Sequence, residues 1–404
     1  MKTNLELLFK EHRLKIEKLV ESIDSKSTSY DFEKKFNSLH NELGHDVYQT
    51  LIGKVPKSKN QKITILTSMG KIDFPKTHPL ATAPGGFKIS PYLQEHLCRV
   101  GSKLTFDESS EELSKLLQLD VNAKQVERIC HYYGDKLEQI DWKHAYNDGF
   151  QLRIPFKDKA LEYVMMDGSM LLTRQKNEAW KEVKLCRLFE AKDRIEGISK
   201  NRNQLSQSKY VAHLGKAEDF LDKVLEILPT KSELVFICDG AKWIWKWIDE
   251  YFPNNTQILD FYHCKEHLYA FAKIYFAKDD LAAKQWVENG MEMLLNQQVR
   301  GFLNDLSKLS CRKKTEKSAK EKLLKYLQNN EKRINYGLFK EKGLLLGSGA
   351  IESAHRDIIQ KRMKLSGQRW TVNGAQQMLN LRVAYKSGLE PQIRNLITDY
   401  QKVA

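Results

Sequence analysis

The sequence predicts an α+β protein that is mostly helical and has one mixed sheet. Apolar residues recur at three- and four-residue steps, the period of an amphipathic helix, in the first and last parts of the chain. Short apolar runs that end in acidic residues lie between residues 161 and 260. After His263 no strand pattern returns for about eighty residues, which predicts an all-helical insertion.

Composition narrows the class of protein and of partner. The 404 residues include 66 Lys and Arg against 52 Asp and Glu, a net charge of +14, and 41% are hydrophobic. These values exclude collagenous, disordered and disulfide-scaffold proteins. Excess positive charge favours nucleic acid, because each neutralised phosphate releases a counterion, although it also occurs for solubility alone.

Targeting segments and paired cysteines are both missing from the sequence pattern. No stretch approaches about 18 apolar residues, and Met1–Ile23 mixes charges throughout, so we expect a cytoplasmic protein without a membrane partner. The six cysteines stand alone without a C-x-x-C pair, which predicts reduced packing residues and no zinc site.

The N-terminal region, residues 1–100, is predicted to be helical with one hairpin. Helical periodicity runs from Leu5 to Ile23 and from Phe32 to Leu51. Alternating apolar residues at 61–74 indicate a hairpin, and the Pro/Gly-rich stretch 78–91 indicates a linker or an irregular lobe.

Residues 101–150 contain a predicted helix-turn-helix. Its helices are Glu111–Gln118 and Ala123–Leu137, with Asn122 as the N-cap of the second. Four polar side chains of the second helix are expected to project outward: Lys124, Gln125, Arg128 and His131. The first three are the expected DNA-binding residues. Ordinary packing of a helical hairpin gives the same pattern.

Residues 155–263 are predicted to form the first part of the sheet domain. Strand patterns occur at 161–168, 180–188, 234–240 and 257–260, with helices at 217–228 and 242–252. Three antiparallel strands, a helix, a strand, a helix and a strand are the order of a ribonuclease-H-like mixed sheet. Residues 264–345 are the helical insertion, whose basic stretch 312–325 is either a phosphate-binding face or a solvated helix, and 346–404 complete the domain.

Three acidic residues stand in positions suited to metal binding. Asp167 and Asp239 are each predicted to end an apolar strand before a glycine, and Glu352 follows Gly347-Ser348-Gly349. Two Mg²⁺ ions in a phosphodiester-cleaving site need hard oxygen ligands of this kind. The alternative for each Asp-Gly pair is an ordinary turn.

Four blocks of sequence carry a resemblance to a known family. They are Met165-Met166-Asp167-Gly168, Cys238-Asp239-Gly240-Ala241-Lys242-Trp243-Ile244-Trp245, Asp260-Phe261-Tyr262-His263 and Gly347-Ser348-Gly349-Ala350-Ile351-Glu352-Ser353-Ala354-His355. Residues 161–385 resemble DDE transposases of bacterial insertion sequences in the mutator-like lineage. The third block resembles the C/D-x-x-H signature of that family.

The resemblance implies a catalytic site. Asp167, Asp239 and Glu352 would be the metal-binding catalytic triad, and Asp260 and His263 an auxiliary catalytic pair. Asp260 is an alternative to Asp239 as second ligand. His263 is either a hydrogen-bond donor or phosphate contact, or a packed residue.

The resemblance also implies cofactors, partners and a reaction. Two Mg²⁺ ions are expected, with Mn²⁺ able to substitute. The expected partners are double-stranded DNA, both terminal inverted repeats and target, and further copies of the chain on paired ends, with a nucleoid location. The implied reaction is cleavage and strand transfer; the alternatives are a transposase-derived DNA-binding protein without catalysis and a metal-dependent nuclease on the same fold.

Basic residues after Glu352 are expected to contact DNA. They are Arg356, Lys361, Arg362, Lys364 and Arg369. Arg356 lies four residues after Glu352, on the same predicted helical face, within reach of a phosphate. Trp370 is either a packing anchor or a surface for stacking an unpaired base.

Overall fold

The computed structural model describes residues 2–24, 27–148, 160–177, 179–196, 203–229, 232–277 and 279–399. The chain divides into two compact units, Met1–Ile140 with Leu389–Ala404, and Asp141–Gly388. The predicted boundaries at 100, 150 and 346 do not coincide with this division. Residues 149–150 and 155–159 of the predicted domains lie outside the described residues.

The first unit begins with a helical pair and a hairpin. Helices α1 (Lys2–Glu21) and α2 (Ser29–Ile52) pack together, and β1 (Lys62–Thr67) pairs with β2 (Gly70–Pro75) in antiparallel register. Both elements confirm the sequence predictions. Ile52, Ile65, Ile72 and Phe74 form a buried cluster under this hairpin.

Three further helices of the first unit follow: α3 (Pro91–Gly101), α4 (Phe106–Leu117) and α5 (Ala123–Glu138). The predicted cap of α5 is confirmed, because the Asn122 side chain accepts a hydrogen bond from the Gln125 N–H at 2.9 Å. The last helix of the chain, Glu390–Thr398, belongs to this unit as well. Its buried Ile393 and Ile397 explain why it packs on α3 and α5.

The second unit contains a mixed five-stranded sheet. Its elements up to the last strand are α6 (Trp142–Asp148), β3 (Leu161–Leu172), β4 (Trp180–Glu190), the short hairpin β5 (Arg194–Glu196) and β6 (Asn203–Leu205), β7 (Lys209–Leu214), α7 (Ala217–Ile227), β8 (Glu233–Cys238), α8 (Lys242–Tyr251) and β9 (Thr256–Leu259). The strand order is β7-β4-β3-β8-β9. β4 runs antiparallel to β3 and β7, whereas β3, β8 and β9 are parallel.

The sheet differs from the sequence prediction in two details. The prediction does not locate β7, the third antiparallel strand. The prediction that Asp167 ends its strand is wrong: β3 pairs with β8 only as far as Met166, but with β4 as far as Leu172. Asp167 therefore lies inside β3, at the position where one of its two neighbouring strands stops.

A helical insertion follows β9. It consists of α9 (Phe261–Tyr275), α10 (Asp280–Leu295), α11 (Val299–Lys308), α12 (Lys314–Asn329) and α13 (Tyr336–Glu341). Among the described residues between 264 and 345 there is no strand, as predicted. In the basic stretch, Lys320 binds the carbonyls of Ser307 and Leu309, while Lys314, Lys317, Lys322 and Lys325 are exposed.

The last part of the second unit returns to the sheet. α14 (Gly349–Ala354) packs on β3 and β4, a π-helical turn covers 355–360, and α15 (Lys361–Met363) leads to α16 (Val372–Lys386), which packs on β7. All six cysteines are free and five are buried, as predicted. None of the helices in the described ranges has the length and hydropathy needed to cross a membrane.

Candidate active site

Three aspartates occupy matching positions on neighbouring parallel strands. The β3–β8 pairing ends at Met166 and Cys238, and Cys238 pairs in turn with the last residue of β9. The next residues along the three strands are Asp167, Asp239 and Asp260. Because neighbouring strands lie about 4.8 Å apart, the three aspartates form a row across the sheet.

Asp167 and Asp239 are partly buried and electrostatically coupled. Burial raises the pKa of Asp167, against a hydrogen bond from the Gly168 N–H at 2.7 Å. Burial also raises the pKa of Asp239, and the negative charge of Asp167 adds to that effect, while the Ala241 N–H binds its Oδ1 at 3.0 Å. A cation beside the two carboxylates would therefore relieve an unfavourable concentration of negative charge.

Asp260 has a different environment from the other two aspartates. It is fully buried, and its Oδ1 accepts the His263 N–H at 2.7 Å as the N-cap of α9. Its Oδ2 accepts the Ser348 N–H at 2.5 Å. Since both carboxylate oxygens hold backbone N–H groups, the geometry favours Asp239 over Asp260 as the second metal ligand.

His263 lies beside the two coupled aspartates. Its positive charge, when present, lowers the pKa of both Asp167 and Asp239. The imidazole is 40% exposed, and its Nδ1 lies 3.3 Å from Glu266 Oε2. The partly exposed ring is therefore available to a ligand at the aspartates, which favours the ligand-contacting interpretation over simple packing.

Glu352 stands apart from the aspartate row. It is exposed on α14, the helix that packs on β3. Within the described residues, one group of three potential ligands has atoms within 4.8 Å of one another, and it is His12, Glu42 and Asp46 of the first unit. Asp167, Asp239 and Glu352 do not converge to that distance.

His355 connects α14 to the aspartate row, although its sequence position predicts no role for it. Its Nδ1 lies 3.1 Å from Ser169 Oγ, and its Nε2 lies 3.4 Å from Asp167 Oδ2, without satisfactory hydrogen-bond geometry. Burial lowers its pKa to about 4, so the ring is neutral at pH 7. Glu352 precedes His355 by three residues and lies on the same side of the helix.

Tyr326, from α12 of the insertion, is a second residue for which the sequence predicts no role. Its hydroxyl is buried and has no hydrogen-bond partner among the described residues. A Cβ atom at Gly240 would lie 2.6 Å from its ring and 2.9 Å from its hydroxyl, so only glycine fits beside Asp239. Gly240 is visible in the sequence as the glycine that follows Asp239. Its contact with Tyr326 depends on how the helical insertion folds.

The basic residues after Glu352 divide by environment. Arg356, Lys361 and Arg369 are exposed, with Lys361 bound to Asp357 at 2.8 Å. Lys364 is half-buried: burial lowers its pKa, and the negative charge of Asp167 opposes that shift, so the two charged groups interact.

Arg362 does not fit the predicted DNA-binding surface. It is 1% exposed, and its guanidinium lies 5.4 Å from the centroid of the Trp370 ring. Trp370 is itself buried and donates its indole N–H to the Met363 carbonyl at 3.0 Å. Both are packing residues, because the two side chains pack against each other and leave almost no surface for a phosphate or a base.

In the first unit, the predicted DNA-binding residues lie at the start of α5. Lys124 is exposed and bound to Glu127 at 2.6 Å, and Arg128 is exposed. The side chain of Gln125 accepts a hydrogen bond from the Asn122 N–H at 3.0 Å, so it serves the capping box of the helix. Lys124 and Arg128 therefore remain available on the outer face.

Sequence comparison assigns the chain to a family. A family model described as an uncharacterised protein family (UPF0236) matches residues 151–396. The chain belongs to this family. A similar protein is the UPF0236 protein in vanSb 3'region of Streptococcus gallolyticus, which is 24% identical over 319 residues, 75% of this chain. The match spans 65% of the length of that relative.

The family match coincides with one part of the candidate site. Residues 151–396 include the aspartate row, His263, Glu352 and His355, whereas Lys124 and Arg128 lie before the match begins. The chemistry-bearing positions of the second unit are therefore within the family region.

Proposed function

We propose that this protein is a DDE transposase that cleaves DNA at the terminal inverted repeats of an insertion sequence and joins the freed ends to target DNA. The observation that carries the proposal is the row of Asp167, Asp239 and Asp260 across β3, β8 and β9. On this proposal, the order β7-β4-β3-β8-β9 is a ribonuclease-H-like core that a helical insertion interrupts.

The pair of Asp167 and Asp239 suits a divalent cation. Asp167 and Asp239 supply hard oxygen ligands whose pKa values are raised by burial. Glu352, on the helix above β3, is the third proposed ligand. Two bound Mg²⁺ ions, or Mn²⁺, would supply activation of the attacking oxygen and stabilisation of the leaving oxygen.

Other side chains have proposed positioning roles. Asp260 fixes the turn that leads to Glu352, through its hydrogen bond to Ser348. His355 holds Ser169 and contacts Asp167, which fixes the carboxylate orientation. His263 and Lys364, both near Asp167, are suited to a phosphate brought to the row.

DNA binding and assembly form part of the proposal. Lys124 and Arg128 on α5 would contact the terminal repeats, and Arg356, Lys361 and Arg369 would contact phosphates near the acids. The net charge of +14 supports a polyanionic partner. Paired transposon ends require at least two copies of the chain, which predicts assembly as a homo-oligomer on DNA.

The test is cleavage and joining of labelled duplexes that carry the inverted repeats flanking the gene, with Mg²⁺ present. The unmodified protein is expected to give cleaved and joined products, and Glu352→Gln none. Glu250→Gln, a change of an exposed glutamate on α8, is the matched control and should leave both steps intact. Equal activity of Glu352→Gln would exclude Glu352 as a ligand.

Two other outcomes would replace the proposal. Tight, salt-sensitive binding without cleavage by the unmodified protein would indicate a DNA-binding protein without catalysis. Cleavage without joining, also from pre-cleaved ends, would indicate a metal-dependent nuclease.

A further inference from the structure

A cavity of about 810 Å³ lies beside the aspartate row in the second unit. Its floor includes Met165, Arg187 and Tyr210, which form one cross-strand row of β3, β4 and β7. Its other side includes Tyr262 and the turn from Gly347 to Gly349. This volume falls in the range of small-molecule sites. We call it the Arg187 cavity.

The guanidinium of Arg187 is fixed at the floor of the cavity. Arg187 is 8% exposed, donates from Nε to Ser208 Oγ at 3.0 Å and from Nη1 to the Ala350 carbonyl at 2.7 Å. No residue in the described ranges provides a hydrogen-bond acceptor for its Nη2. Elsewhere in the lining, Lys386 is paired with Asp357 at 2.9 Å. Arg187 therefore offers a positively charged N–H group that favours an anionic ligand.

The cavity also has one exposed aromatic side chain, Tyr262. Phe189 and Tyr210 flank Arg187, with ring centroids 5.8 and 5.3 Å from its guanidinium carbon, but both rings are buried and serve to hold Arg187 in place. Tyr262 is 62% exposed and packs closely on Gly347, where a Cβ atom would lie 2.9 Å from its ring. Flat aromatic ligands bind such an exposed ring by stacking. An anionic ligand with a flat ring therefore fits the lining better than an inorganic anion does.

The Arg187 cavity lies close to Asp167 and Glu352. Met165 and Asp167 lie on the same face of β3, two residues or roughly 7 Å apart. Ser353, which also lines the cavity, is adjacent to Glu352 in the chain. A ligand in the cavity therefore lies next to the proposed reaction site.

We propose that the Arg187 cavity binds one nucleotide, with its phosphate at Arg187 and its base against Tyr262. The nucleotide is either free or one unpaired unit of a DNA strand. The strand-held form rests on the proposed function; the free form does not.

The first experiment measures binding of 2′-deoxyadenosine 5′-monophosphate by calorimetry in EDTA, so that no metal can hold it at the acids. A duplex with one unpaired 3′ 2-aminopurine, followed by fluorescence quenching, tests the strand-held form. Binding of either probe supports the proposal, and the probe that binds identifies the source. Binding of neither overturns it, as does equal affinity for deoxyadenosine, which lacks the phosphate.

The second experiment locates the nucleotide. Tyr262→Ala should weaken binding of the active probe about 5- to 150-fold, the range for loss of one stacking surface, and Tyr262→Phe should retain it. Because Tyr262 is exposed, both variants should keep the wild-type thermal midpoint. Wild-type affinity of folded Tyr262→Ala overturns the proposal.

A third variant separates this proposal from the proposed function. Asp239→Asn removes a proposed metal ligand and should abolish cleavage, yet it should bind the probe in EDTA as the unmodified protein does. Loss of probe binding in that variant would place the nucleotide at the acids and overturn the cavity assignment. Retained binding together with an unmodified protein that never cleaves DNA would overturn the proposed function alone.

Discussion

Asp260 and Ser348, 88 residues apart in the chain, are joined by a hydrogen bond from the Ser348 backbone N–H to the Asp260 carboxylate. The other oxygen of the same carboxylate caps α9. One buried side chain thus joins the end of β9, the first helix of the insertion and the turn that begins α14. Asp260 therefore holds the chain before and after the insertion together, which keeps Glu352 of α14 on the β3 side.

The Asp260→Asn variant should be clearly less stable than the unmodified protein. An amide has one acceptor oxygen, so one of the two bound N–H groups would face an NH₂ group in a buried site. The expected cost is roughly 2–3 kcal/mol in the free energy of unfolding, measured by urea denaturation. Asp222→Asn, at an exposed position of α7, is the control and should change little. Equal stability of Asp260→Asn would contradict the structural role.

Asp239→Asn should have the opposite effect on stability. The raised pKa of Asp239 means that its charged form is disfavoured in the folded protein, first by burial and then by Asp167. The Asn oxygen can still accept the Ala241 N–H, so removal of the charge should raise the thermal midpoint at pH 7 in EDTA. Cleavage should fall by more than the 10- to 100-fold typical of losing an outer-shell partner of a metal. A lowered thermal midpoint would show that the charge of Asp239 does not destabilise the folded protein.

Much of the fold can be predicted from residues that are adjacent in the chain. Features of this kind are the Asn122 cap, the hairpin of β1 and β2 and the apolar runs of β8 and β9. β7 was not located, because its residues Lys209–Leu214 include charge and become a strand by pairing with β4. The length of β3 also depends on β4, which pairs with it beyond Asp167.

The candidate site shows the same limit. The sequence pattern indicates Asp239 at the end of β8. The parallel register with β8 places Asp167 beside it, although β3 itself continues to Leu172. The burial of Arg362 cannot be predicted from its charge, since it depends on the Trp370 ring. Likewise, His355 stands in a recognisable block, but its contact with Asp167 exists only in the folded chain.

Lys124→Ala should weaken DNA binding in a way that depends on salt. Lys124 is exposed at the start of α5, so we expect it to neutralise about one phosphate. The slope of log K against log salt should then fall by about 0.9, with similar weakening across DNA sequences. Lys115→Ala is the matched control, because Lys115 is also exposed and bound to a glutamate on its own helix, α4. Equal changes for both variants, in fluorescence anisotropy titrations, would contradict a specific DNA face on α5.

His355 should make the protein less stable as the pH falls from about 6.5 to about 4. Burial lowers its folded-state pKa to about 4, so within this window the unfolded chain binds a proton that the folded protein does not. The stability that neutral His355 contributes is fully present above pH 6.5 and fully lost near pH 4. The free energy of unfolding falls by about 3 kcal/mol across this window. His355→Asn retains a hydrogen-bonding group for Ser169 but does not titrate. In EDTA, the free energy of unfolding of the unmodified protein minus that of the variant should therefore decrease by this amount between pH 7 and pH 4. Because Asp167 and Asp239 are present in both proteins, their titration largely cancels in this difference. A difference that stays constant with pH would show that His355 is not kept neutral in the folded protein.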